Sequence, residues 1–116
     1  MNEGRCTARL TRRYAVSVEE VWHALTDPDS QDRWLAPPPG VTVVGSETER
    51  VLELDWSPPG EPPSVVRIEL HAEGDRTLLV LEHSRIDAAI GMRYLGDWSR
   101  ALDRFESQLD QRKETS

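Results

Sequence analysis

The C-terminal third of the chain carries one apolar stripe with helical spacing. Between residues 87 and 113, apolar side chains recur at steps of three and four positions, and polar residues fill most of the positions between them. This period predicts a single long amphipathic helix. One face of such a helix must lie on a large apolar surface, and a β-sheet is the only candidate in this chain. The stripe consists of Ala88, Met92, Leu95, Trp98, Leu102, Phe105 and Leu109.

Much of the remaining chain alternates between apolar and polar residues, as strands with one buried face do. The alternation predicts strands at residues 5–13, 41–45, 50–56, 65–73 and 76–84, with a turn at Gly74 and Asp75 between the last two. In each long strand, this alternation places every second side chain on the inward face of the sheet. These inward rows are Ala8, Leu10 and Arg12; Leu52, Leu54 and Trp56; Val66, Ile68, Leu70 and Ala72; and Thr77, Leu79, Leu81 and His83.

Two short helices are predicted between the first strand and the second. Ser17 and Glu20 fit a capping box that opens the first helix. That helix stops at Asp27 because the residue before a proline is pushed out of the helical region. The second helix spans about residues 29–35 and ends before the proline run at 37–39.

The length and charge of the chain limit its class. A chain of 116 residues fits one domain, residues 1–116, in which we expect residues 110–116 to form a frayed tail. Lys and Arg number 14 and Asp and Glu number 21, so the net charge is −7. An acidic surface repels phosphate backbones, so we expect no nucleic-acid partner. No apolar run approaches the ~20 residues of a membrane span and no signal-peptide pattern opens the chain, so we expect a cytoplasmic protein without membrane contact.

Motifs for cofactors, metals and nucleophilic catalysis are missing from the sequence. There is no glycine-rich phosphate loop, no G-x-S-x-G and no H-E-x-x-H, and Cys6 is the only cysteine. The three histidines have no metal-ligand spacing. We therefore expect no cofactor and no metal, and assign no catalytic residue.

The order strand, two helices, antiparallel strands and long helix is the helix-grip arrangement, and three segments carry a family resemblance. Residues 14–28 (YAVSVEEVWHALTDP) followed by Arg33 and Trp34, residues 74–84 (GDRTLLVLEHS), and Trp98 with Leu102 and Phe105 resemble the START-like (SRPBCC) superfamily. Within it, they resemble the heat-shock-protein-90 ATPase activator-like branch. The resemblance implies an α+β helix-grip fold with a curved antiparallel sheet of about five strands.

This chain is shorter than the family pattern, which usually carries an additional strand or hairpin between the second helix and the strand at residues 50–56. A trimmed sheet encloses less volume, and it also exposes a strand edge. A protein partner or a second copy of the chain could pair with that edge.

The resemblance implies three alternative functions. The first is non-catalytic binding of a small, mostly apolar or aromatic molecule in a cavity between the sheet and the C-terminal helix. The second is a protein-interaction or co-chaperone-like role. The third is an enzyme of the polyketide cyclase or aromatase kind, for which His83 with Arg12 is the only acid–base pair that the sequence offers.

Eight residues are candidates for lining the cavity, because they are aromatic, inward-facing or placed near its expected mouth. For His83 the alternative is a structural imidazole, for Arg12 a salt bridge at the sheet rim, and for the tryptophans simple packing. The candidates are Arg12, Trp22, Trp34, Trp56, His83, Met92, Tyr94 and Trp98.

Overall fold

The computed structural model describes the backbone of residues 4–115 and the side chains of residues 4–111. It contains five strands and three α-helices, with one 3₁₀ turn at Ala88–Ile90. In chain order the elements are β1 (Arg5–Tyr14), α1 (Val18–Thr26), α2 (Pro28–Trp34), β2 (Val41–Glu47), β3 (Val51–Trp56), β4 (Ser64–Glu73), β5 (Arg76–Asp87) and α3 (Gly91–Thr115).

The five strands form one antiparallel sheet in the order β1-β5-β4-β3-β2. β1 and β2 are the two edge strands of the sheet. The long α3 helix packs on the inner face of the sheet, where it contacts β1. This is the α+β helix-grip fold, as the sequence predicts. Among the described residues, no helix is both long and apolar enough to cross a membrane.

The parity of the strands is confirmed, with one exception. The inward residues of β3 and β5 are buried, including Thr77 and His83. Ala72 was predicted to face inward and is exposed. Its ladder partner Thr77 is covered by the segment after β1, because the Thr77 hydroxyl donates to the Val16 carbonyl oxygen (2.9 Å). Ala72 lies on β4, one strand further from β1, and the segment after β1 does not cover it.

The predicted N-cap at Ser17 is also confirmed, and the structure adds a second N-cap, at Asp27, that was not predicted. The Ser17 side chain accepts a hydrogen bond from the Glu20 amide, and Asp27 caps α2 by accepting from the Ser30 amide. A single residue between α1 and α2 therefore serves both helices, as the end of one and the N-cap of the next.

The first turns of the long helix differ from the prediction. Ala88 precedes α3 in the 3₁₀ turn, Met92 is 82% exposed and Leu95 is 39% exposed. At 100° per residue, Met92 lies about 120° around the helix from Trp98, whereas Tyr94 lies within about 40° of it. The inward positions of the first turns are therefore Gly91 and Tyr94. A Cβ at Gly91 would clash with the Cys6 sulfur, so any larger residue there requires the Cys6 side chain to move.

The centre of α3 packs as expected. Phe105 is fully buried, with its ring edge-to-face with Tyr14 at 5.5 Å and with Trp34 at 5.1 Å between centroids. This contact joins β1, α2 and α3. The helix continues to Thr115, into the stretch where we expected a frayed tail, and Ser116 lies outside the described residues.

Two loops are held together at the end of the β2–β3 ladder. The Ser57 amide donates to the Gly40 carbonyl oxygen (2.9 Å), one step beyond the Val41–Trp56 pair. Gly40 has φ +90°, and a Cβ there would lie 2.1 Å from the Ser57 carbonyl oxygen. The segment after α2 and the proline-rich β3–β4 loop thus touch backbone to backbone, which fixes their relative position.

We predict that Gly40→Ala destabilises the protein more than Gly60→Ala. Gly60 has a similar φ of +85° but open space around its missing Cβ. In the Gly60 variant only the left-handed backbone conformation, which alanine disfavours, should lower the free energy of unfolding, by about 1–2 kcal/mol. The Gly40 variant must also displace the Ser57 carbonyl, so we expect a loss of about 3 kcal/mol or more in the free energy of unfolding. Urea titration measures both, and equal losses would show that the loop contact contributes little.

Candidate functional site

Four rings from three elements form a cluster at one end of α3. Trp56 ends β3, His83 lies on β5, and Tyr94 and Trp98 lie one turn apart on α3. Their ring centroids are 5.1 Å apart for Trp56 and Trp98 and 4.6 Å apart for His83 and Tyr94. We refer to these four residues as the aromatic cluster. Its tilted and edge-on contacts are the arrangements that aromatic rings prefer.

His83 is the polar centre of the aromatic cluster and is fully buried. The Trp98 indole N–H donates to His83 Nδ1 (2.9 Å), so Nδ1 must be unprotonated and the ring proton must be on Nε2. Nε2 then donates to the Ser64 hydroxyl oxygen (2.8 Å), and this hydroxyl donates to the Trp56 carbonyl oxygen (3.0 Å). Every ring nitrogen is therefore satisfied in a single tautomer.

This environment favours the neutral imidazole. Burial lowers the pKa of His83 to about 4, against a weaker opposing effect of the Glu61 carboxylate. Protonation at Nδ1 would also place two N–H donors, those of His83 and Trp98, against each other. His83 is therefore neutral at physiological pH and acts as the acceptor that holds the Trp98 indole.

A second chain of hydrogen bonds leads from the aromatic cluster to the surface. The Trp56 indole N–H donates to the Tyr94 hydroxyl oxygen (3.0 Å), and the Tyr94 hydroxyl donates to a Glu61 carboxylate oxygen (2.5 Å). Arg93 binds the other Glu61 oxygen (3.0 Å). Burial and the Glu61 contact raise the pKa of Tyr94, which keeps its hydroxyl a donor. These bonds attach the β3–β4 loop to the start of α3.

A cavity of about 440 Å³ opens beside α3, over the aromatic cluster. Trp56, Tyr94, Trp98 and Ala101 are its buried apolar wall. The sheet contributes only Trp56, and the other lining residues belong to α3 or to the two loops joined at Gly40 and Ser57. These are Leu35, Ala36 and Pro38 after α2, Pro58 and Glu61 after β3, and Arg93, Asp97, Arg100 and Arg104 on α3.

The position of the cavity differs from the expected one. It lies at the side of α3, whereas the resemblance implied a space between the sheet and the helix. The inner face of the sheet beneath the middle of α3 is filled, since Leu79, Leu81 and Phe105 are fully buried in one continuous core. The short connection from α2 to β2 places residues 35–38 at the cavity wall.

Of the eight candidate residues, three line this cavity: Trp56, Tyr94 and Trp98. His83 lies directly behind them, in ring contact with all three, but has no exposed surface. The structure thus brings half of the candidates together at one place.

The other four candidates lie elsewhere. Arg12 reaches from β1 to α3, where its guanidinium donates to the Ser99 hydroxyl (3.1 Å). Trp22 packs half-buried on α1, and Trp34 is buried under α2 with its indole N–H unpaired. Met92 projects into solvent. Arg12 pairs with Leu79 in the β1–β5 ladder, four residues along β5 from His83, so the acid–base pair of the cyclase alternative is not assembled.

Sequence reasoning missed the charged rim of the cavity. The sequence did contain a signal for the residues on α3. Charged residues recur there at helical spacing next to the apolar positions Tyr94, Trp98 and Ala101, namely Arg93, Asp97, Arg100 and Arg104. Glu61 had no such signal, because its place depends on how the proline-rich loop folds back. Within the described part of the chain, no group of three or more potential metal ligands occurs.

Comparison with known proteins places this geometry in a family. No protein-family model and no curated protein matches the sequence. Among solved structures, CalU16 from Micromonospora echinospora is 30% identical, with a TM-score of 0.76 over 90% of this chain and 83% of CalU16. The chain belongs to the START-like (SRPBCC) superfamily.

Two further solved structures share the fold at lower identity. MLL2253 from Mesorhizobium loti is 22% identical, with a TM-score of 0.82 over 91% of this chain and 98% of MLL2253. DynU16, a protein in the dynemicin biosynthetic locus, is also 22% identical, with a TM-score of 0.77 over 90% of this chain and 47% of DynU16. At this identity the two support the helix-grip fold alone.

The buried imidazole predicts an acid-sensitive fold. Below its ordinary pKa of about 6.5, His83 binds a proton in the unfolded chain but not in the folded protein until about pH 4. His83 therefore lowers the free energy of unfolding as the pH falls from 6.5 to 4, by up to about 1.4 kcal/mol per pH unit. His83→Gln keeps an acceptor and a donor but cannot titrate. As the pH falls across that range, we expect the free energy of unfolding of the wild type to decrease relative to that of the variant.

Urea unfolding at pH 7.5, 6, 5 and 4.5 measures this difference, and titrations common to both proteins cancel. A pH-independent difference for His83→Gln would contradict the depressed pKa.

Proposed function

We propose that this chain binds a small, mostly apolar or aromatic molecule, without transforming it, in the cavity beside α3. The observation that carries this proposal is the cavity itself, whose wall is formed by Trp56, Tyr94 and Trp98. Its volume of about 440 Å³ falls within the range of small-molecule sites, roughly 300–1,000 Å³.

The wall of the cavity is preformed. The indole N–H groups of Trp98 and Trp56 are already bonded to His83 and Tyr94, so both rings are held in place before any ligand arrives. A rigid aromatic wall loses little conformational entropy when a flat apolar molecule packs beside it. Because the indole donors are occupied, the wall itself favours apolar contact, and polar recognition falls to the rim.

A small-molecule ligand agrees with the genomic setting of DynU16, although the fold is all that the comparison shows the two chains to share. That protein is encoded in the dynemicin biosynthetic locus, and it shares this fold. The cyclase or aromatase alternative has no such support from the cavity, since neither His83 nor Arg12 is among the lining residues.

A second candidate function is protein interaction through β2, the short edge strand. Val43 and Val44 are 57% and 62% exposed on it, and an unpaired edge with apolar side chains favours pairing with another strand. This alternative agrees with the resemblance of residues 14–28 to the heat-shock-protein-90 ATPase activator-like branch. A pull-down with the host's heat-shock-protein-90 homologue, or self-association measured by sedimentation, would support it.

The ligand-binding proposal predicts that fragments shift specific signals in a ¹H–¹⁵N spectrum. In a screen of aromatic and aliphatic fragments, both acidic and neutral, the indole N–H signals of Trp56 and Trp98 should move and that of Trp22 should not. Pro38→Trp should reduce these shifts several-fold because Pro38 lines the cavity, and a larger side chain there occupies part of its volume.

Pro39→Trp is the matched control, since Pro39 is the next residue of the same proline run but is exposed and does not line the cavity. The proposal fails when no fragment moves the Trp56 and Trp98 signals, or when Pro38→Trp and Pro39→Trp have the same effect.

A further inference from the structure

The rim of the cavity carries an excess of positive charge. Three arginines, Arg93, Arg100 and Arg104, line it together with two carboxylates, Glu61 and Asp97, which leaves a net charge of +1. The whole chain has a net charge of −7. The cavity is therefore a positively charged site on an acidic protein.

Both carboxylates of the rim already have partners. Glu61 accepts from the Tyr94 hydroxyl and from Arg93 at 3.0 Å. Asp97 lies 2.5 Å from an Arg100 nitrogen and 3.8 Å from Arg93. Arg93 and Arg100 are thus largely neutralised by their neighbours on α3 and on the β3–β4 loop.

Arg104 differs from the other two arginines. Its Nε donates to the Trp34 backbone carbonyl oxygen at 3.2 Å, and among the described residues it has no carboxylate within 4.0 Å. The bond at Nε sets the direction of the guanidinium and leaves its outer edge, Nη1 and Nη2, as a pair of parallel donors. That pair matches the two oxygens of a carboxylate.

We propose that the cavity selects aromatic molecules that carry a single carboxylate, and that Arg104 binds this carboxylate while the ring occupies the cavity beside Trp56, Tyr94 and Trp98. This inference rests on the proposed ligand-binding function. Ala101 connects the two parts of the site, because it lies one turn before Arg104 on the buried wall beside Trp98.

The same rim disfavours anions of higher charge. A phosphomonoester or a polyanion would bring additional negative charge close to Glu61 and Asp97 and onto a protein that is acidic overall. A neutral amide of the same shape presents only one acceptor oxygen and no charge to the guanidinium. The site should therefore distinguish a carboxylate from its amide.

The test compares 2-naphthylacetate with 2-naphthylacetamide, which share one ring system. Each is titrated into ¹⁵N-labelled protein, and dissociation constants are read from the indole N–H signals of Trp56 and Trp98. We expect the carboxylate to bind about fivefold to tenfold more tightly than the amide at low ionic strength. Arg104→Gln should bring this ratio to about 1, and Arg104→Lys, which keeps the charge but not the parallel donors, should leave an intermediate ratio.

Arg50→Gln is the control, because Arg50 is equally exposed but lies in the β2–β3 turn, away from the cavity, and it should keep the wild-type ratio. Equal binding of the two probes, or a preference that survives Arg104→Gln, would overturn the inference and leave the proposed function standing. Failure of both probes to move the two indole signals of the wild type would overturn the proposed function together with the inference.

Discussion

The hydrogen bond from the Trp98 indole to His83 is the interaction on which the site depends. It joins α3 to β5 inside the core, where an indole N–H or an imidazole without a partner would cost about 1–3 kcal/mol. His83 in turn donates to the Ser64 hydroxyl, and this hydroxyl donates to the carbonyl of Trp56 at the end of β3. Three strands and one helix are thereby connected through neutral groups in a single tautomer. The two tryptophans that form the cavity wall are consequently parts of the folded core, with fixed orientations.

The position of the cavity follows from a filled core and a short connection. Because Phe105 packs against Tyr14 and Trp34, no large space remains beneath the middle of α3. The chain between α2 and β2 is brief, and its contact with Ser57 at Gly40 draws the two loops together beside the helix. The cavity in this member of the START-like (SRPBCC) superfamily is accordingly a lateral cleft, in which loops supply one wall and α3 supplies the other.

In the binding mode that we propose, apolar contact and polar selection are separated within this cleft. The indole donors of the wall are already used internally, so the wall distinguishes ligands by shape and apolar area. Charge discrimination falls to the arginines on the outer side of α3. Two of these are paired with Glu61 and Asp97, which also hold the β3–β4 loop and the helix surface in place. The third, Arg104, bonds to a backbone carbonyl and has no carboxylate partner in the described part of the chain. Structural and recognition roles are thus divided among residues of the same type.

Much of the fold was predictable from the sequence because it depends on local periodicity. The alternation of Leu79, Leu81 and His83 placed the imidazole inside, Ser17 and Glu20 marked the start of α1, and the order of the elements indicated the helix-grip fold. The start of α3 was not predictable, because Met92 and Tyr94 are both apolar enough for the stripe and only the 3₁₀ turn and the Cys6–Gly91 contact decide which one faces inward. The charged rim likewise required tertiary structure. Glu61 and Arg93 are 32 positions apart in the sequence, and a distance of that kind is set by how loops fold onto a helix, which no local pattern encodes.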